Sequence, residues 1–319
     1  YDFVNQMTDD ELAAMCVGYG PGLPFGVGRG TPATIQGPDG KDLTTGDHPK
    51  GFPGYINPAM ERLGIHSAWY KDGPAGIGMV SWPTGTAVAS TFNADLAYAF
   101  GEAAGAESDE MQVDSWLAPA VNIQRALLGG RNFEYFSEDP VVSGICGTAI
   151  VRGCEENSRA TCCPKHFALN EQETYRRGKT IHGVDAVNSI VEERAAREVY
   201  LRPFEMIVRN SKVRTFMSSF NRINGTFAGG SYDLCTRLLR GEWGFEGVVV
   251  TDWGDMDVVV DGGDAVHAGN DVVMPGGPPV IAQIQKALKD GRCTREDMIE
   301  AVVNLMRFVM VSGSQMDAE

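Results

Sequence analysis

Short apolar, β-rich runs alternate with longer stretches of helical period along most of the chain. The runs His66–Tyr70, Thr86–Thr91, Ser115–Val121, Ala160–Phe167, Arg214–Phe220, Gly247–Asp252 and Asp271–Met274 read as strands. The stretches Asp9–Cys16, Ala94–Met111, Val141–Glu155, Ala186–Val208, Asp233–Glu242, Ile281–Asp290 and Arg295–Val311 read as helices. Asn93 stands just before one apolar period and Thr294 before another, both good helix N-caps, with Asp297 at the capping-box position after Thr294. Repeated alternation of strand and helix implies a parallel sheet covered by helices. Seven strands are visible and an eighth is ambiguous. Polar residues gather where the runs end: Asp72, Lys165 with His166, Asn221 and Asp252. Both features favour an α/β fold of the (β/α)8 TIM-barrel kind, with room for an irregular strand, over a doubly wound open sheet. Residues 1–319 then form one catalytic barrel, and residues 1–60 its loop-rich opening. The glycines between Gly18 and Gly30 have no strand before them, no helix after them and no GK[ST], so they do not make a nucleotide loop.

Composition narrows the partners. Of 319 residues, 43% are hydrophobic and 22% charged, which is ordinary for a globular chain and argues against disorder or a fibre. The 42 acidic and 27 basic residues leave a net charge of −15, a field that repels phosphate backbones and anionic lipid heads. Nucleic acid and membrane partners are therefore not expected, and neutral substrates fit more easily. No run of about 18 apolar residues is present to span a bilayer. The seven cysteines are odd in number, lack a CxxC pair and read as buried free thiols of a reducing compartment. A cytoplasmic location is expected, since no signal-peptide pattern is visible, although the chain opens on Tyr1 and is compatible with a piece of a longer protein. The five histidines show neither HxH nor HExxH spacing, and no GxSxG occurs, so neither a metal nor a serine nucleophile is expected and no cofactor is called for.

Three segments carry chemistry. In Gly247-Val-Val-Val-Thr-Asp252-Trp253-Gly254, three valines mark a strand buried on both faces, which places a carboxylate at a rigid strand end. Such an Asp252 suits a nucleophile and equally a helix cap, and Trp253 a sugar-stacking face or core. Gly129-Gly-Arg-Asn-Phe-Glu-Tyr-Phe-Ser-Glu-Asp-Pro140 offers Arg131, whose planar fork matches vicinal hydroxyls, while Glu134, Glu138 and Asp139 read as loop structure and a helix cap. In Pro164-Lys165-His166-Phe167, adjacent strand residues face opposite ways, so both side chains reach one pocket only if the backbone leaves regular geometry.

Together these stretches resemble glycoside hydrolase family 3, the family of many β-glucosidases and β-xylosidases. The resemblance rests on Asp72-Gly-Pro-Ala-Gly76, Trp82-Pro-Thr-Gly-Thr-Ala87, Gly130–Pro140, Lys165-His-Phe-Ala168, Ser219–Gly225, Thr251-Asp-Trp-Gly254 and Ala268–Gly276, in that order over roughly residues 60–280. It implies a retaining glycosidase acting on terminal β-D-glucosyl or related residues, with Asp252 as nucleophile. It further implies that Asp72, Arg131, Lys165 and His166 hold the sugar in the −1 subsite, that Met217 lines it, and that Trp253 lies toward the +1 side. It also suggests a non-proline cis peptide at Lys165–His166, His166–Phe167 or both, which would let both side chains reach one pocket. Thr251 stands where Ser is usual and Phe220 where Tyr is common. The Pro-Gly-His element of the single-domain hexosaminidase branch is absent after Lys165-His166-Phe167. The general acid of the β-glucosidase type comes from a separate α/β sandwich domain that is not in this chain, and neither Glu173 nor Asp255 matches an acid motif. A missing domain or a second chain would then supply the acid. The competing reading is a non-catalytic sugar-binding barrel, a pseudoenzyme or half of an assembled enzyme.

Overall fold

A computed structural model describes residues 1–20, 55–57, 59–176, 186–253 and 260–313. Helix α1 (Asp9–Met15) opens on a capping box in which Thr8 and Glu11 exchange side-chain and backbone hydrogen bonds. β1 (Tyr55–Asn57) follows, inside the stretch expected to be irregular, and runs antiparallel to β2 (Ala68–Lys71).

The run Thr86–Thr91, expected as a strand, is instead largely the short helix α2 (Gly85–Ala89). Thr84 caps it by accepting from the Ala87 N–H, and the Thr86 hydroxyl donates to the Asn132 and Tyr135 carbonyls rather than lying in a pleat. The β-branched residues there serve a cap and a tertiary bond, which outweigh their strand preference. Helix α3 (Ala94–Glu110) begins at Asn93, whose side chain accepts from the Asp95 and Leu96 N–H groups. β3 (Ser115–Trp116) pairs parallel with β2 and with β4 (Thr161–Cys162). Between them lies α4 (Pro140–Asn157), capped by Asp139 as expected. α3 and α4 approach so closely that a Cβ at Gly101 would lie 2.1 Å from the Ile150 oxygen, and one at Gly153 2.0 Å from the Tyr98 oxygen.

Residues 186–208 are not one helix. β5 (Asn188–Ser189) joins β7 (Arg222–Ile223) and β8 (Thr226–Phe227) in a small sheet, and helical structure starts at Glu193. A π turn, Ala196–Tyr200, with Leu201 N–H bonded to the Ala196 oxygen, leads into α5 (Arg202–Asn210). Pro203 has no N–H to continue an α ladder, and the chain widens just before it.

β6 (Thr215–Ser218) pairs parallel with β9 (Val248–Thr251), the valine strand, all four of whose residues are buried. The segment Asp233–Glu242 between them is wound as a π-helix. Helices α6 (Gly262–Ala268), α7 (Gly277–Asp290) and α8 (Arg295–Val309) close the described chain, α8 with the expected Thr294–Asp297 capping box.

The fold is α/β, with a four-stranded mixed sheet, a two-stranded parallel sheet and the small three-stranded one. Among the described residues it does not form the single all-parallel eight-stranded ladder that the alternation suggests. The four-stranded and two-stranded sheets are linked through single-residue bridges, Ala120–Lys165, Phe167–Ser218, Val250–Val272, Val17–Val273 and Tyr19–Ile56. Pro119 and Pro164 interrupt the ladder between β3 and its neighbours, since neither has an N–H to donate. No helix among the described residues is long and apolar enough to cross a membrane. All seven cysteines are free and buried, as their pattern suggested.

Candidate active site

The charged residues singled out by motif come together beyond the C-terminal ends of β2, β4, β6 and β9. Asp252 follows β9 directly and is 5% exposed. Its Oδ1 accepts from the Trp253 N–H at 2.7 Å, and its own N–H donates to the Ser218 carbonyl of β6 at 3.0 Å. Its Oδ2 faces the Arg176 guanidinium at 3.2 Å. Asp252 is thus a strand-end carboxylate paired with a cation.

Arg176 was not anticipated. Its Nε lies 3.1 Å from Glu173 Oε2, and its guanidinium sits 5.0 Å above the Phe220 ring. Phe220 therefore offers a flat face beneath the cation of Asp252 instead of a phenol hydroxyl. Arg131 completes a line of alternating charge. It is bonded to Glu134 and lies 3.7 Å from Glu173 Oε1. Burial alone would weaken the Arg131 cation, but Glu134 overrides it and raises its pKa above the ordinary arginine value. Glu134 is thus more than loop structure, since it anchors the arginine.

Lys165 is 2% exposed and its Nζ lies 2.6 Å from Asp72 Oδ1, so a buried ammonium is paired with a carboxylate at the open surface. The Lys165–His166 peptide is cis, as expected, and further non-proline cis bonds lie at Phe167–Ala168 and Asp72–Gly73, while His166–Phe167 is not among them. His166 is 1% exposed, edge-on to Tyr135 with ring centroids 6.4 Å apart, and its Nδ1 is 3.3 Å from Asn122 Oδ1. Burial first, then the positive charges of Arg131, Lys165 and Arg176, hold its pKa well below the usual histidine value, so the ring is neutral at neutral pH.

Met217 is buried in β6; its N–H donates to the Pro164 carbonyl and its carbonyl accepts from Phe167, tying it beside the Lys165–His166 segment. Its side chain belongs to the cluster that Trp253 packs against. Trp253 is half-buried and meets Tyr55 edge-on at 4.8 Å. Burial, then the nearby charge of Asp72, push the Tyr55 phenol up to about 12, with a smaller push from Asp252, so it stands as a neutral hydroxyl among carboxylates. Tyr55 too was missed; it sits in the Gly/Pro-rich stretch, where nothing in the local pattern marks it. Arg176 had a faint signal, as the first basic residue in the polar run after Lys165-His166, but no spacing links it to a residue 76 positions on.

Both oxygens of Glu173 face guanidinium groups, Oε1 that of Arg131 and Oε2 that of Arg176. Asp255 lies outside the described residues. Among the described residues, no three His, Cys, Asp or Glu side chains group so as to hold a metal ion.

A strand-end carboxylate, two forked guanidiniums, a lysine and a neutral imidazole together present donors and acceptors of the kind that can hydrogen-bond hydroxyl groups. The glycosyl hydrolase family 3 N-terminal-domain model matches residues 56–308, and the chain belongs to that family. It is 40% identical to β-glucosidase A of Butyrivibrio fibrisolvens over 253 residues, 77% of this chain and 29% of that protein. It is 36% identical to the β-glucosidase of Ruminococcus albus over 328 aligned positions, 97% of this chain and 31% of that protein. Among solved structures, β-glucosidase 3B from Thermotoga neapolitana in complex with glucose superposes with a TM-score of 0.84 at 33% identity, covering 99% of this chain and 43% of that one. The chain thus spans about a third of the length of these curated relatives.

Proposed function

We propose that this chain is the nucleophile-bearing part of a retaining β-glucosidase. The observation that carries the reading is Asp252, buried at the end of β9 with one oxygen on a main-chain N–H and the other on Arg176. In such enzymes one carboxylate attacks the anomeric carbon to form a glycosyl-enzyme, and a second carboxyl group about 5–5.5 Å away protonates the leaving oxygen. Asp72, Arg131, Lys165 and His166 would hold the sugar hydroxyls, Met217 would line the pocket, and Trp253 would face the leaving group. Arg176 joins this set.

The pairings support a barrel around the site. They run from β1 through β2, β3, β4, β6 and β9 to Val272 and Val273, return to Val17 and Tyr19, and meet β1 again. The general acid is assigned to a further domain or chain, which the greater length of the relatives supports, as does the engagement of both Glu173 oxygens with arginines. Seven buried free thiols support a cytoplasmic setting.

The second reading, a sugar-binding barrel without catalysis, would hold if no further domain or chain supplied an acid. Incubation with a 2-deoxy-2-fluoro-β-glucoside bearing a good leaving group separates the two. The expected result is a covalent mass increase mapped to Asp252. Binding without labelling, or a label elsewhere, would favour the binder or another nucleophile. General acid catalysis is worth about 10²–10⁴-fold. The chain alone is therefore expected to be poor on alkyl glucosides and less impaired on aryl glucosides.

A further inference from the structure

Asn122 is fully buried and holds His166 at three atoms. Its Oδ1 accepts the His166 main-chain N–H at 2.7 Å, and its Nδ2 donates to the His166 carbonyl at 3.0 Å. The same Nδ2 lies 3.4 Å from Glu171 Oε1, a carboxylate oxygen that also accepts from the Ile123 N–H at 3.3 Å. The orientation of the amide is dictated by these partners. A main-chain N–H can only donate, so the atom facing it is the oxygen. A carbonyl and a carboxylate that accepts an N–H fix the other atom as the NH2. Asn122 Oδ1 also lies 3.3 Å from His166 Nδ1. An amide oxygen has no proton to give, so Nδ1 is the protonated nitrogen.

We propose that Asn122, oriented by Glu171, is a positioning residue that fixes His166 as the Nδ1–H tautomer and leaves Nε2 as a lone-pair acceptor for a substrate hydroxyl. The second half rests on the glycosidase reading of the site; the first does not. Among the described residues the other charged nitrogens in the cluster are all donors: the Lys165 ammonium, paired with Asp72, and the Arg131 and Arg176 guanidiniums, paired with Glu134, Glu173 and Asp252. Tyr135 meets the imidazole edge-on and gives its own hydroxyl proton to the Asn170 carbonyl. A ligand oxygen facing Lys165 or an arginine can therefore be acceptor only. The oxygen facing Nε2 must carry a proton, so an ether or a fluorine cannot replace it. The specificity that follows is for a sugar with a free hydroxyl at that position.

The tautomer is read directly from ring nitrogen-15 shifts of the histidine-labelled 319-residue chain between pH 5.5 and 8, with His166→Gln to assign the signal. One histidine is expected as a neutral, non-titrating Nδ1–H ring. In Asn122→Asp the added carboxylate should make the same ring doubly protonated over part of this range, and in Asn122→Ala the Nδ1–H preference should be lost. An Nε2–H ring in the wild-type chain, or a signal unmoved in Asn122→Asp, overturns the proposal. Wild-type spectra alone decide the tautomer if a variant does not fold. The substrate half is read by calorimetry with glucose and its monodeoxy and monofluoro analogues. At one ring position the fluoro and deoxy analogues should lose affinity equally, roughly tenfold or more. If fluorine restores affinity at every position, no hydroxyl donates to Nε2. If no sugar binds while the Nδ1–H ring is seen, the glycosidase reading and the substrate half fail and the tautomer stands.

Discussion

Asp252 and Asp271 are both buried, 5% and 2% exposed, and flank β9 at opposite ends. Asp271 accepts from the Val249 N–H at 2.6 Å, from Arg240, and from Asn304 Nδ2 of α8 at 3.0 Å. Arg240 also binds the carbonyls of Gly247 and Gly269, so this cation is locked by the fold. Every group on Asp271 belongs to a strand, a helix or an immobilised arginine. Among the described residues Asp252 has one main-chain donor, and its cation, Arg176, is shared with Glu173 and lies over Phe220. The same residue type at two ends of one strand is thus a structural tie in one place and a candidate reagent in the other. What separates them is whether the second oxygen is held by the fold or by a cation shared within a cluster of charge.

The largest effects should test that contrast. Asp252→Ala in the complete enzyme should reduce kcat on the order of 10⁴-fold or more and leave the thermal midpoint close to wild type. Asp271→Ala should do the reverse. Stranding Arg240 should lower stability by about 3–5 kcal/mol in denaturant unfolding, while the folded fraction keeps its kcat. If Asp252→Ala unfolds the chain, or Asp271→Ala is silent, the comparison breaks.

A smaller effect should appear in the pH dependence of stability. Burial pushes Glu155, beside β4, up to about 7, against stabilising bonds from Thr161 and the Cys162 N–H. Burial raises Glu171, behind the site, to about 7 as well. The folded state therefore holds protons that the unfolded chain releases near pH 4.5, and stability falls as pH rises from about 4.5 to 7. Each group contributes at most roughly 3 kcal/mol over that window. Glu155→Gln should flatten part of the fall when unfolding midpoints are compared at pH 5 and pH 7. An unchanged slope would mean that Glu155 is ionised throughout. Glu11 behaves oppositely: its bond to Arg62 lowers it to about 2, so its contribution is lost only as pH falls below about 4.5.

Thr294→Ala should cost the least, about 1 kcal/mol, by removing the cap of α8, with no change in kcat or KM. A kinetic effect from this remote change would show that the site depends on α8 more than its contacts indicate.

Local physics made some of this protein legible without coordinates. Caps at Asn93 and Thr294 depend on residues two or three positions away, and three successive valines announce a buried strand wherever it lies. Asp252, Lys165, His166, Arg131 and Asp72 could be singled out because each sits in a short, distinctive run. Where local preference met a tertiary demand, it lost: Thr86 bonds to carbonyls 46 and 49 residues away and its run is a helix. Pro203 turned an expected single helix into a π turn followed by an α-helix. The pairing of Arg176 with Asp252, the edge-on contact of Tyr55 with Trp253 and the hold of Asn122 on His166 came from the fold alone. Their partners lie far along the chain, at spacings set by the lengths of intervening helices and loops. A hydrogen bond depends on distance in space, and the order of residues does not encode that distance until the strands have paired.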